Sequence, residues 1–141
     1  MTGDRLLVPI DPPYLHALGL ATICFARLEW TAIWCSEKIA PGYLATVSTK
    51  TAGQIAKDLI ARAAGHPNPT IVAGLGTAAT ELKRLVGRRN DLVHANPGTA
   101  PNGDQRLFRH GTEWTIAAVD GLADEFAAAG RVLNDYYHNR L

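Results

Sequence analysis

The chain has 141 residues, 47% of them hydrophobic and 19% charged. That balance suits one domain with its own core and excludes a disordered chain. The formal net charge is only +1, so no global field marks a binder of nucleic acid, and any electrostatic recognition must be local.

Residues 1–12 read as an N-terminal arm, apolar and extended from Leu6 to Ile10 and closed by Asp11-Pro12-Pro13. The polar start, Met1 to Arg5, has no basic region leading into a long apolar core, so neither a leader nor a membrane span is expected. Asp11 as N-cap with Pro12 at the first helical position starts a helix that runs from Pro13 to Ile39. Its spacing predicts an inner face of Leu15, Leu18, Thr22, Phe25, Leu28 or Glu29, Ala32 and Ile33. Trp30 and Trp34, one turn apart, read as core or dimer contacts rather than base-stacking platforms. Cys24 and Cys35 lie on this helix about 16 Å apart, too far for a disulfide within a straight helix. They read as reduced core residues of a cytoplasmic protein.

Pro41-Gly42 ends the first helix, and residues 43–50 read as a loop. Thr51 and Gln54 have capping-box spacing for a second helix, which carries Ile55, Leu59, Ile60 and Ala63 inward. Gly65, with Pro67 and Pro69 beyond it, closes that helix. The third helix begins near Thr70 and stops at Asn96-Pro97-Gly98. Ile71, Leu75, Ala78, Leu82, Leu85, Arg89 and Leu92 recur at steps of four and three, which is one helical face. Gly74, Gly76 and Gly87 weaken the helix but permit a neighbouring helix to approach closely. Gly74-Leu75-Gly76 is no dinucleotide fingerprint, for it lacks the third glycine, a preceding strand and a downstream acid.

Residues 96–112 read as the chain's longest irregular loop, either a polar connector or a segment whose Arg106, Arg109 and His110 reach a phosphate backbone. Thr112 is the expected cap of a fourth helix from Glu113 to Tyr137, with a stripe of Trp114, Ala118, Leu122, Phe126, Ala129 and Leu133. Four helical segments with short connections predict an all-α fold, a single-domain up-and-down bundle.

One residue breaks the third helix's pattern. Arg89 occupies a stripe position where a Leu is expected, and a guanidinium is costly to bury unpaired. The stripe must therefore meet a carboxylate, a subunit interface or a water-filled cleft. Glu29, among apolar residues of the first helix, is the candidate partner. Lys83, Arg84, Arg88 and Arg89 cluster against Glu81 and Asp91, as a patch for phosphates or as a solvated helix face. His94 brings a side chain that exchanges protons near neutral pH, or caps free carbonyls. On an ideal helix Arg89 and His94 lie about 140° apart, whereas Asn90 and His94 stack. A shared site needs a curled Arg, a distorted last turn or a second subunit.

The segment Arg89-Asn90-Asp91-Leu92-Val93-His94 resembles the Arg-x4-His signature of the HEPN superfamily, in which a polar residue, often Asn, follows the Arg. The resemblance covers nearly the whole chain as a helical fold but only these six residues as a motif. It implies a metal-independent endoribonuclease, of toxin or defence type, that needs no cofactor and whose two motifs meet across a homodimer. Arg89 and His94 would be the catalytic pair, with Asn90 in support. Arg88, Lys83, Arg106, Arg109 and His110 would contact RNA, and a cognate antitoxin or regulatory protein would be a partner. In one HEPN group the motif continues to a modified Tyr. That position is Asn96 here, so its regulation is not implied. A non-catalytic helical module binding a nucleotide or protein is the alternative. The five histidines show no metal-ligand spacing, and no Walker loop or nucleophile elbow is present.

Overall fold

The computed structural model describes residues 3–141, so Met1 and Thr2 of the expected arm lie outside the described residues. Four long helices carry the fold: α1 (Pro12–Ile39), α2 (Ala52–Ala64), α3 (Pro69–Val93) and α4 (Ile116–Asp135). Their caps are local. The Asp11 carboxylate accepts the Tyr14 N–H at 3.3 Å, and Thr51 and Gln54 close both bonds of a capping box. Asn68 caps α3, with Pro69 at its first position. Thr115, not Thr112, caps α4 by accepting the Ala118 N–H at 3.0 Å.

The helices pack α1 along α4 and α2 along α3, with further contacts from α1 to α2 and from α3 to α4. Phe25 and Phe126 meet edge to face at 5.1 Å across the α1–α4 seam, a contact worth about 1 kcal/mol beyond area burial. The predicted stripe of α3 is buried at Ile71, Leu75, Ala78, Leu82, Leu85 and Leu92. Gly74 is where α3 needs a small residue, because a Cβ there would overlap the Tyr136 hydroxyl. The inner face of α1 is the expected one at Phe25, Leu28, Ala32 and Ile33, which are buried, but it is rotated in the first turns. There Tyr14, Ala17 and Ala21 are buried, while Leu15 is 53% exposed and Thr22 faces outward. α1 is apolar enough all round that α4 takes the face with the small residues, where two helices can approach closely. By length and composition α1 is also apolar enough to cross a membrane.

The chain is largely helical, but the expected loop at residues 96–112 is an antiparallel sheet, which corrects the purely all-α expectation. Its strands are β1 (Asn96–Thr99), β2 (Gln105–Arg109) and β3 (Thr112–Trp114), in the order β1-β2-β3. Asn96 pairs with Phe108 and Thr99 with Gln105, then Leu107 with Trp114 and Arg109 with Thr112. His110 and Gly111 join β2 to β3 with φ of 52° and 77°. Positive φ at both turn residues is the geometry that matches the twist of a two-residue hairpin. The expected arm also differs, since Asp4–Leu7 form a short 3₁₀ turn that leaves Leu6, Leu7 and Val8 exposed. Residues Tyr43–Thr49 likewise form 3₁₀ structure rather than open loop.

Candidate functional site

The last two turns of α3 present their charged residues to different surroundings. Arg89 faces α1. Its guanidinium lies 4.6 Å from the centre of the Phe25 ring. Its Nε is buried and has no hydrogen-bond partner. It lines a pocket of about 230 Å³ with Thr22, Glu29, Val93 and Phe126 among the walls. Glu29, the expected partner, shares this pocket, but no Glu29–Arg89 ion pair within 4.0 Å forms among the described residues. Burial pushes the Glu29 carboxyl above its ordinary pKa, and the charge of Arg89 opposes that push. The pocket therefore holds a cation whose Nε lacks a hydrogen-bond partner and a carboxylate that is poorly solvated.

His94 is the C-cap of α3, and its backbone N–H donates to the Asn90 carbonyl at 3.0 Å. Its side chain is exposed, and no protein group hydrogen-bonds the imidazole among the described residues. Asn90 is half-buried one turn earlier. His94 and Asn90 do not line the Arg89 pocket, in keeping with the angular separation along the helix. Within one chain, the motif is thus assembled in sequence but divided in space.

The expected RNA-contacting residues fall into three groups. Arg88, Arg109 and His110 come together beside Asp91, on a different face of α3. Lys83 is exposed on that helix, away from them in sequence. Its neighbour Arg84 binds Glu81 at 2.6 Å and Glu125 at 2.7 Å, so that stretch reads as a solvated salt-bridge face. Arg106 requires correction. It is buried, and its Nη1 donates to an Asp11 carboxylate oxygen and to the Gln105 carbonyl at 2.8 Å. Its Nη2 reaches Asp104 at 3.3 Å, and its guanidinium lies 4.4 Å from the centre of the Tyr14 ring. The hydrogen bond from Arg106 holds the Asp11 carboxyl below the usual carboxylate range. Arg106 fastens the sheet to the start of α1, where its charge is used by protein carboxylates.

Tyr14, absent from the expected site, completes that joint. Its buried hydroxyl donates to the Trp114 carbonyl at 2.7 Å and accepts the Leu107 N–H at 3.1 Å. The signal for the sheet was present in Asn102-Gly103, a strong hairpin dipeptide, and in His110-Gly111 closing the next turn. Trp30 and Trp34 stand on the outer part of α1, 6.0 Å apart and edge to face. Trp30 is 52% exposed, so it is not a core residue of the single chain. The two cysteines are free, and the buried Cys35 thiol donates to the Leu133 carbonyl at 3.4 Å. Burial pushes that thiol up to about 12, which keeps it inert. Among the described residues, no group of three or more His, Cys, Asp or Glu side chains is placed to hold a metal ion. No protein-family model, curated protein or solved structure matches the chain.

Proposed function

We propose that the chain is a metal-independent endoribonuclease of HEPN type, a toxin or defence effector that works as a homodimer in the cytoplasm. The observation that carries this reading is Arg89: a guanidinium with a buried, unpartnered Nε in a surface pocket, next to Asn90 in the chain and five residues before His94. A guanidinium that forms no ion pair among the described residues suits an oxyanion supplied by a ligand. The four long helices would form the HEPN-type bundle, with the sheet as an addition between its last two helices.

The chemistry needs only proton movement and charge stabilisation. The RNA 2′-oxygen attacks the adjacent phosphorus and loses its proton, the bond from phosphorus to the 5′-oxygen breaks, and that oxygen gains a proton. The products carry a 2′,3′-cyclic phosphate and a 5′-hydroxyl. His94 would transfer one of these protons, Arg89 would hold the charged phosphate, and Asn90 would orient the imidazole or the sugar. Two copies joined through the motif face would supply one histidine as base and one as acid. Val93, 54% exposed on the rim of the Arg89 pocket, favours such a contact. An antitoxin or regulatory protein would act by covering the same face.

The test is cleavage of end-labelled RNA in EDTA by wild type and His94→Ala. Wild-type cutting to cyclic-phosphate ends, reduced by about 10²- to 10⁴-fold in the variant, is the expected result. A folded wild-type dimer that binds RNA without cutting it moves the reading to a non-catalytic nucleotide- or protein-binding module. One observation favours that second reading: among the described residues nothing hydrogen-bonds and orients the His94 imidazole.

A further inference from the structure

The hairpin formed by β2 and β3 builds a second pocket of about 300 Å³, walled by Arg88, Asp91, Arg109, His110, Glu113 and Trp114. Asp91 sits between the two arginines, 3.8 Å from Arg88 Nη1 and 3.6 Å from Arg109 Nε. Both are ion-pair separations beyond hydrogen-bond range, so one carboxylate balances charge without saturating either guanidinium. Arg109 Nε is buried and has no hydrogen-bond partner. Arg88 lies over the Trp114 ring at 4.9 Å, which orients its plane. His110 stands at the rim with φ of 52°, a strained conformation for a residue with a Cβ. Arg109 Nη1 also reaches the His94 carbonyl at 3.5 Å, which places this pocket against the end of the motif.

We propose that this pocket is a phosphate subsite in which a phosphate oxygen enters between Arg88 and Arg109, takes the donors Asp91 leaves unmet, and meets His110 at the rim. The inference rests on the ribonuclease reading for the source of that phosphate, a second phosphodiester of the strand whose scissile group lies at His94. Asp91 and Glu113 offset the charge of the two arginines, so the site selects phosphate through directed N–H donors rather than through a broad positive field. Asp91 acts as the resident competitor for those donors.

The test reads binding without cleavage, using a fluorescent 2′-O-methyl RNA oligonucleotide, which lacks the attacking hydroxyl, and AMP as a free phosphate source. Arg88→Gln and Arg109→Gln are each expected to weaken the oligonucleotide about tenfold, the loss of one charge-assisted hydrogen bond. The slope of log affinity against log salt should flatten by about 0.7 for each phosphate contact removed. Asp91→Asn should tighten binding, because it removes the competitor for the donors of Arg88 and Arg109. Should AMP alone show this arginine dependence, the phosphate subsite stands with a free nucleotide as its source. Folded Arg88→Gln and Arg109→Gln proteins with wild-type affinity and slope for both ligands, or weaker binding by Asp91→Asn, overturn the proposal. If the arginine variants fail to fold, Asp91→Asn decides it alone. Arginine-dependent binding by a wild type that never cuts RNA leaves the subsite standing and removes the nuclease. Cutting that persists with arginine-independent binding removes only the subsite.

Discussion

Arg106 and Arg89 are both arginines set into apolar surroundings, and their surroundings use them in opposite ways. Arg106 finds Asp11, Asp104 and the Gln105 carbonyl within reach, and it joins the sheet to α1. Arg89 has an aromatic face beneath it and a carboxylate in the same pocket, yet its Nε makes no hydrogen bond. The number of acceptors that the fold brings to each guanidinium separates them. A saturated arginine contributes to stability, and an unsaturated one remains available to a ligand.

Substitutions at the two sites should therefore split stability from activity. Arg89→Ala is expected to lower RNA cleavage by about 10²- to 10³-fold, the usual loss of one transition-state donor. Its stability cost should stay near 1 kcal/mol, the scale of the contact with Phe25, and thermal melting beside the cleavage assay reads both. A large fall in melting temperature with cleavage retained would erase the contrast. Arg106→Ala should behave in the converse way, lowering the melting temperature on the order of 10 °C because Asp11 loses its partner beside a buried joint. Cleavage per folded molecule should hold.

Tyr14→Phe sharpens the same comparison without touching a charge. Removing the hydroxyl leaves the Trp114 carbonyl and the Leu107 N–H without their partner. Urea unfolding should report a loss of about 1–3 kcal/mol. Amide exchange at Leu107 should rise more than exchange in α2, and equal rises would mean that the hydroxyl does not hold the sheet.

The smallest effect is expected at Glu29→Gln, read as a pH profile of stability. The Glu29 carboxyl has a raised pKa in the folded chain because burial disfavours its charged form. The folded state therefore holds this proton more tightly than the unfolded chain, and the charged carboxylate lowers stability at neutral pH. The Gln variant should be slightly more stable than wild type near neutrality. That advantage should fade as pH falls through the folded pKa toward the ordinary carboxylate value. A variant less stable at neutral pH would show that Glu29 is a true partner of Arg89.

Much of the helical frame was legible because its signals are local. Asp11, Thr51 and Gln54 make their capping bonds within three residues, and the α3 stripe needs only helical periodicity. The inner face of α1 follows its periodicity from Phe25 to Ile33 but departs from it in the first turns, where the helix is apolar on most sides. Periodicity then gives no unique answer, and the close approach of α4 selects Ala17 and Ala21 over Leu15 and Thr22. The sheet was missed although Asn102-Gly103 and His110-Gly111 mark its turns, because the strands are short and their apolar content is low.

The candidate site divides along the same line. Residue chemistry singled out Arg89 and His94, and the helical angle between them anticipated that they would not line one pocket. What Arg88, Arg106 and Arg109 do was beyond the sequence, since the three have the same chemistry. Arg106 meets Asp11 across 95 positions of chain, whereas Arg109 meets Asp91 without a hydrogen bond. Capping and periodicity are set by bonds a few residues long and are therefore written in the sequence. Whether a cation is saturated depends on acceptors delivered from distant segments, and only packing of the sheet against α1 and α3 decides which arginine receives them.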